Sequence, residues 1–109
     1  MRARRIVALL VVACSLTGCA SFEAARFYRQ GTRALDAGDT ARAVADLERA
    51  AQLVPHGSEI QNHLGLAYAA AGRDDAALTA FRRAVEIDCE NGAAQHNLEM
   101  ARRRAEEEP

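Results

Sequence analysis

The chain repeats itself at an offset of 34 residues, and this periodicity constrains its fold more than any other feature. Gly31 matches Gly65, and Gly38 matches Gly72. Further like pairs at the same offset are Ala43 with Ala77, Leu47 with Phe81, Ala50 with Ala84 and Leu53 with Ile87. Such a period indicates an array of one repeated unit, in which each copy buries its apolar face against its neighbours.

Apolar residues recur at helical spacing within each copy, and turn-forming residues separate the segments. The pattern predicts five helices, near residues 22–37, 40–53, 58–71, 74–87 and 92–106, and no strand. Gly38 and Gly72 follow a first helix, where glycine can adopt a positive φ. Asp39, Thr40 or Asp74 is expected to cap the second helix of a copy. Asn91 and Gly92 are expected at the start of the last helix.

The second copy reads Leu64-Gly65-x-x-Tyr68, followed by Ala77-x-x-x-Phe81-x-x-Ala84. This pattern resembles the tetratricopeptide repeat, a pair of antiparallel helices. The first copy matches less well, because Gln30 and Ala34 stand where Leu and Tyr are typical. The resemblance implies an all-α, antiparallel helix-pair solenoid with two repeats, at residues 24–57 and 58–91. A C-terminal capping helix and charged tail, residues 92–109, would complete it.

The N-terminus has the composition of a secretory signal. Arg2, Arg4 and Arg5 precede residues 6–16, which carry no charge. As a helix those eleven residues would span about 16 Å, against about 30 Å for the hydrocarbon core of a bilayer. The segment is therefore expected to direct export rather than to span the membrane.

Leu16-Thr17-Gly18-Cys19 resembles the lipobox of bacterial lipoproteins. The resemblance implies that residues 1–18 are a cleaved lipoprotein signal peptide and that residues 19–23 are a lipidated tether. Cys19 would carry thioether-linked diacylglycerol and an N-acyl chain, and no other cofactor is expected. Ala20 follows Cys19 where inner-membrane retention signals typically have Asp, which favours the outer membrane, facing the periplasm. The alternative interpretations are an ordinary secretory signal and a core helix that happens to contain a cysteine.

Composition and spacing exclude several functional classes for the predicted mature chain. Residues 19–109 contain eleven arginines, no lysine and fifteen acids, a net charge of −4, so no basic nucleic-acid interface is expected. His56, His63 and His96 do not have metal-ligand spacing. Neither a phosphate-binding loop nor a nucleophile motif occurs. We therefore expect no metal, no catalytic residue and no enzyme.

Cys89 would be an unpaired thiol in an oxidising compartment. Two interpretations are open for it. It is either a small buried residue in the turn after a helix, or a partner in an intermolecular or mixed disulfide.

In tetratricopeptide repeats the first helices line a concave groove. One predicted row at this position, with a spacing of 34, is Tyr28, Asn62 and His96; the next is Thr32, Leu66 and Met100, followed by Leu35, Ala69 and Arg103. The predicted peptide groove therefore consists of Tyr28, Thr32, Asn62, Leu66, His96, Met100 and Arg103. Apolar anchors beside a few polar groups suit an extended or helical peptide. Some relatives grip a C-terminal carboxylate; Asn62 fits that role, with Arg29 and Arg103 as the near basic residues.

These features predict a membrane-anchored adaptor or assembly factor of the bacterial cell envelope, whose partner is an envelope protein or peptide. Self-association through the uncovered first helix pair is a further option. The alternative function is an accessory lipoprotein that binds a small ligand or a cell-wall fragment. Such a site needs a deep pocket with convergent polar groups. The chain has no tryptophan and few other aromatics for stacking on sugars.

Overall fold

A computed structural model describes the backbone of residues 2–108 and the side chains of residues 18–108. Over that range the chain is all-helical: α1 (Arg2–Asp36), α2 (Thr40–Leu53), α3 (Ser58–Ala70), α4 (Asp74–Ile87) and α5 (Gly92–Glu107). Helices α2 to α5 begin and end within one residue of the predicted bounds. Helix α1 instead begins at Arg2, so its backbone runs through the segment predicted as a signal peptide. Among the described residues, no helix has the length and apolarity needed to cross a membrane.

The same turn joins the two helices of each pair. Gly38 and Gly72 have φ values of 78° and 75°, in the left-handed region that glycine adopts without steric cost. In the first pair, the amide of Asp39 donates to the carbonyl of Ala34 at 2.9 Å. Arg73 donates equivalently to Tyr68 at 2.8 Å in the second pair. These bonds satisfy carbonyls at the helix ends, as in a Schellman motif.

The helix N-termini follow the sequence predictions in part. The Asp39 carboxylate caps α2 by accepting from the amide of Arg42 at 3.3 Å, and the Asn91 side chain caps α5 in the same way. Helix α4 differs from the prediction, because Arg73 is its N-cap residue and makes no side-chain cap bond. Asp74 lies instead in the first turn of α4, where its negative charge interacts favourably with the helix dipole.

Glycine inside the first helix of each pair lets the second helix approach closely. A Cβ at Gly31 would lie 2.6 Å from Cγ of Leu47 and 3.2 Å from its backbone nitrogen. At Gly65 the equivalent atom would lie 2.5 Å from Cε1 of Phe81. Leu47 and Phe81 thus occupy space that any larger residue at Gly31 or Gly65 would take, which explains why each pair combines a glycine with a large apolar residue at the same offset.

Buried side chains join each pair to the helix that follows it. Leu47 of α2 is fully buried in a cluster that includes Leu64 and Ala67 of α3. Phe81 of α4 packs in a second cluster with Leu98 of α5. The core therefore continues from α1 to α5, and the fold is a helix-pair solenoid of two repeats closed by a single helix.

Polar side chains end the solenoid on both sides. Glu99 of α5 is exposed and stands where α1 and α3 have the close-packing Gly31 and Gly65. A further second helix could not pack there as α2 packs on α1. At the other end, α1 has exposed Gln30 and Arg33 where α3 has buried residues of the core. Desolvating such side chains is unfavourable, so packing a further helix on either surface as the described helices pack would be costly.

Candidate functional site

The side chain of Tyr28, the first residue of the predicted groove, makes contacts within the solenoid. Its hydroxyl lies 3.2 Å from Oε2 of Glu59, to which it donates, and 3.1 Å from Nδ1 of His63. The rings of Tyr28 and His63 also meet edge to face, with centroids 5.2 Å apart. Burial, followed by the charge and hydrogen bond of Glu59, raises the pKa of Tyr28. These contacts join α1 to α3 and leave the Tyr28 hydroxyl already partnered.

Asn62 makes the corresponding contact one repeat later. Its Oδ1 accepts a hydrogen bond from Nδ2 of Asn97 at 2.9 Å, which joins α3 to α5. Asn62 is only 5% exposed. The Tyr28–His63 and Asn62–Asn97 pairs each span 35 residues, so they form one ladder between successive first helices. The row that sequence spacing predicted as a groove wall therefore supports the repeats against each other.

Leu66 and Met100 both line a cavity of about 320 Å³ that is formed by α3, α4 and α5. Buried Phe81 of α4 also lines it. Met100 is 46% exposed, and among the described residues only Phe22 is another large, strongly exposed apolar side chain. The lining also includes four charged residues, which are Asp74, Asp75, Arg104 and Glu108. The site has an apolar interior beside three acids and one base.

The remaining groove candidates do not converge on this cavity. Thr32 is half-buried, and its hydroxyl donates to the carbonyl of Arg29 within α1. His96 is exposed. Nε of Arg103 lies 2.9 Å from Oε1 of Glu99, which ties its guanidinium to its own helix. With Asn62 buried and Arg103 paired, the carboxylate clamp finds no support in the arrangement of these side chains.

A wider cleft of about 1290 Å³ lies between α2 and α4, over α3. It exists because α2 and α4, within the described chain, do not contact each other although both pack on α3. Sequence analysis did not identify it, since no motif marks the outer sides of the second helices. The 34-residue period could have located it, because it pairs the exposed positions of α2 with those of α4.

Tyr68 projects into this cleft and joins three elements. Its hydroxyl donates to Oε1 of Glu48 at 2.7 Å, and its ring lies 4.6 Å from the guanidinium carbon of Arg73. Arg73 also lies 3.9 Å from Glu48. Burial is the main cause that raises the pKa of Tyr68 to about 12; the hydrogen bond and charge of Glu48 add to it, and Arg73 opposes it. The network stabilises the wall of the cleft.

Both described cysteines are exposed thiols. For Cys89 this corrects the buried interpretation, because the turn after α4 leaves the residue in solvent; its carbonyl accepts from the Gln95 side chain. Cys19 lies on α1 before the first buried residue of the repeats, Ala24. The predicted signal-peptide side chains up to residue 17 lie outside the described residues.

Within residues 18–108 the His, Cys, Asp and Glu side chains form no group of three or more that could hold a metal ion. The described clefts combine apolar surface with scattered charged and polar side chains, a composition typical of contacts between protein chains.

Comparison with known proteins agrees with this architecture. A family model described as the tetratricopeptide repeat matches residues 28–95. None of the curated proteins matches the chain.

Proposed function

Since the chain belongs to the tetratricopeptide repeat family, we propose that it is a lipid-anchored adaptor of the bacterial cell envelope that binds a segment of another protein. Proteins of this family are generally non-catalytic scaffolds, and their repeats suggest protein–protein interaction.

The proposed anchor is Cys19, with the chain cleaved before it and the thiol and new amine acylated. The exposed Cys19 thiol supports this assignment, because a lipid attached there would not have to enter the core. Ala24, five residues later, is the first buried residue of the solenoid. Three acyl chains would hold the protein stably, since one chain alone is marginal. We assign it to the outer membrane because Ala20 follows Cys19.

The anchor is tested by replacing the cysteine. Cys19→Ser should abolish incorporation of labelled fatty acid and release the protein from membranes. Cys89→Ser, which removes the other exposed thiol, should leave both unchanged. Membrane retention of Cys19→Ser equal to that of the parent chain would refute the anchor.

The proposed partner site is the cavity at Leu66 and Met100. The observation that supports this site is that Met100 is 46% exposed beside an apolar cavity. An apolar anchor residue of a partner could cover both the Met100 side chain and the cavity. Methionine adapts its shape to a bound side chain. The lining has three acids and one base. The best-matched partner segment is therefore a helix with an apolar anchor next to Lys or Arg.

The partner site is tested by photo-cross-linking in intact membranes. A photoreactive amino acid at Met100 should give a defined adduct, whereas the same group at Arg82, exposed on α4 and outside both clefts, should not. The cross-linked peptide should contain an apolar residue beside a basic one. Met100→Glu should abolish capture of that partner. Equal adducts from both positions, or capture that survives Met100→Glu, would exclude this cavity.

A further inference from the structure

Helix α1 has an exposed face opposite the one that packs in the solenoid. Phe22, Arg26, Arg29 and Arg33 recur at spacings of three and four residues, so they share one side of the helix. All four are exposed, and Phe22 is exposed to 71%. Two acids, Glu23 and Asp36, each lie three residues from an arginine of this face, so the face carries an excess of positive charge rather than positive charge alone.

The three arginines of this face have no ion pair with any described side chain. The salt bridges of residues 18–108 involve Arg42, Arg73 and Arg103. Arg26 has one other contact, in which its guanidinium carbon lies 5.3 Å from the ring centroid of Phe27. The charges of the face are therefore not neutralised within the solenoid.

The equivalent face of α3 packs against the first helix pair. Its residues can therefore be compared with those that α1 carries at the same repeat positions. Thirty-four residues after Arg33 stands Ala67, fully buried against the first pair. Thirty-four residues after Arg29 stands His63, which contacts Tyr28. Helix α1 has no preceding pair among the described residues, and it carries arginine at both positions. Its outer face is thus charged where a continuing array would be apolar.

We infer that this face of α1 lies on an anionic membrane surface, with Phe22 at the boundary between headgroups and acyl chains and the arginines on lipid phosphates. The inference rests on the proposed lipid anchor, because Cys19 precedes Phe22 by three residues and so enters the bilayer from the same side of the helix. Basic side chains and an aromatic residue on one helix face are typical of helices that lie in the membrane interface.

Docking of α1 would also determine how the rest of the solenoid lies relative to the membrane. From Cys19 to Arg33 the helix extends about 21 Å, so docking holds α1 parallel to the surface instead of upright on its lipid. Helix α5 does not contact α1 and packs on α3 and α4. The cavity at Met100 is then held on the part of the solenoid away from α1, accessible to a partner while the lipid is inserted.

The test measures how close the middle of α1 comes to the bilayer. The chain has no tryptophan, so Gln30→Trp introduces a single indole between the arginines, about 16 Å along the helix from Cys19. The lipidated full protein is reconstituted in vesicles of phosphatidylcholine with or without phosphatidylglycerol, each carrying a nitroxide-labelled lipid as quencher. Arg82→Trp, on exposed α4 surface, is the matched probe.

The indole of Gln30→Trp should be quenched in phosphatidylglycerol vesicles, and this quenching should disappear at high salt. The indole of Arg82→Trp should not be quenched. Combining Gln30→Trp with Arg26→Gln, Arg29→Gln and Arg33→Gln should abolish the quenching. The control triple Arg49→Gln, Arg82→Gln and Arg83→Gln removes the same charge from exposed positions elsewhere and should preserve it. Vesicle-bound protein whose Gln30→Trp indole is not quenched, or is quenched equally without Arg26, Arg29 and Arg33, would overturn the inference.

Failure of the anchor has a different signature. Protein without lipid on Cys19, as measured by mass spectrometry, would refute the anchor. If such protein still binds phosphatidylglycerol vesicles and loses binding with the α1 triple variant, the docking face stands on its own. If it binds no vesicles, both the anchor and the docking face are overturned.

Discussion

A methyl group at Gly65 would lie 2.5 Å from Cε1 of Phe81, closer than real side-chain contacts allow. The partner atom belongs to a buried ring, 3% exposed, that packs against Leu98 of α5, so the ring would have to shift away from α3 to admit a methyl group. This relationship, repeated at Gly31 and Leu47, sets the separation of the two helices in each pair.

Gly65→Ala is therefore expected to destabilise the protein although alanine favours helix. Overpacking costs about 1–3 kcal/mol, and the gain in helix propensity of about 1 kcal/mol offsets part of it. A net loss of roughly 1 kcal/mol should appear in urea unfolding followed by circular dichroism. Gly92→Ala is the control, because a Cβ at Gly92 would have no atom within 4 Å and the substitution should be neutral or stabilising. Equal effects of the two substitutions would contradict the packing argument.

Asn62→Ala is expected to reduce stability by about 1–2 kcal/mol, because it removes the acceptor of the Asn97 side chain in a largely buried pair. His96→Ala, one residue before Asn97 and exposed, should change the free energy of unfolding by less than about 0.5 kcal/mol. Thermal unfolding of the two variants measures the difference. Wild-type stability of Asn62→Ala would show that the hydrogen bond between Asn62 and Asn97 does not stabilise the fold.

Asp46→Ala is expected to stabilise the protein. Oδ2 of Asp46 is a buried oxygen without a hydrogen-bond partner, and its ion pair with the exposed Arg42 is long, at 3.6 Å. The second repeat has Ala80 at this position. Alanine should add about 0.5 kcal/mol through helix propensity. Asp39→Ala, at the start of the same helix, should instead cost about 1 kcal/mol, because it removes the N-cap. The melting temperature should rise for Asp46→Ala and fall for Asp39→Ala. A fall for both variants would contradict the expectation that the Asp46 side chain destabilises the fold.

Tyr68 is expected to ionise near pH 12 in the folded protein, against about 10 for a free tyrosine. A raised folded-state pKa means that the folded state holds the phenolic proton more tightly than the unfolded state. The contribution of Tyr68 to stability is therefore complete below pH 10 and is lost as pH rises towards 12. Ultraviolet titration can follow this directly, because the chain has two tyrosines and no tryptophan.

Glu48→Gln should lower the pKa of Tyr68, because it removes the charge that opposes ionisation. In Tyr68→Phe, the only tyrosine absorbance change on titration should be that of Tyr28. A Tyr68 titration unaffected by Glu48→Gln would mean that burial alone raises its pKa and that the hydrogen bond at 2.7 Å is weak.

The sequence by itself determined the repeating unit, its number and nearly all helix ends. Two features of the glycines make the repeats and the helix ends recognisable in the sequence. The close approach at Gly31 and Gly65 recurs with a fixed period, and the positive φ of Gly38 and Gly72 ends the first helices by local steric preference. Such signals depend on residues near one another in the chain or on copies of one unit. They could be recognised without knowing how the units pack.

Only the tertiary structure decided which predicted groove residues are available. Leu66 and Asn62 stand four residues apart on one helix, yet one lines a cavity and the other is buried on Asn97. Sequence spacing gives a helix face, but the neighbouring helix determines how much of that face remains open. The cleft between α2 and α4 has the same origin, because it depends on two helices that pack on a third without contacting each other.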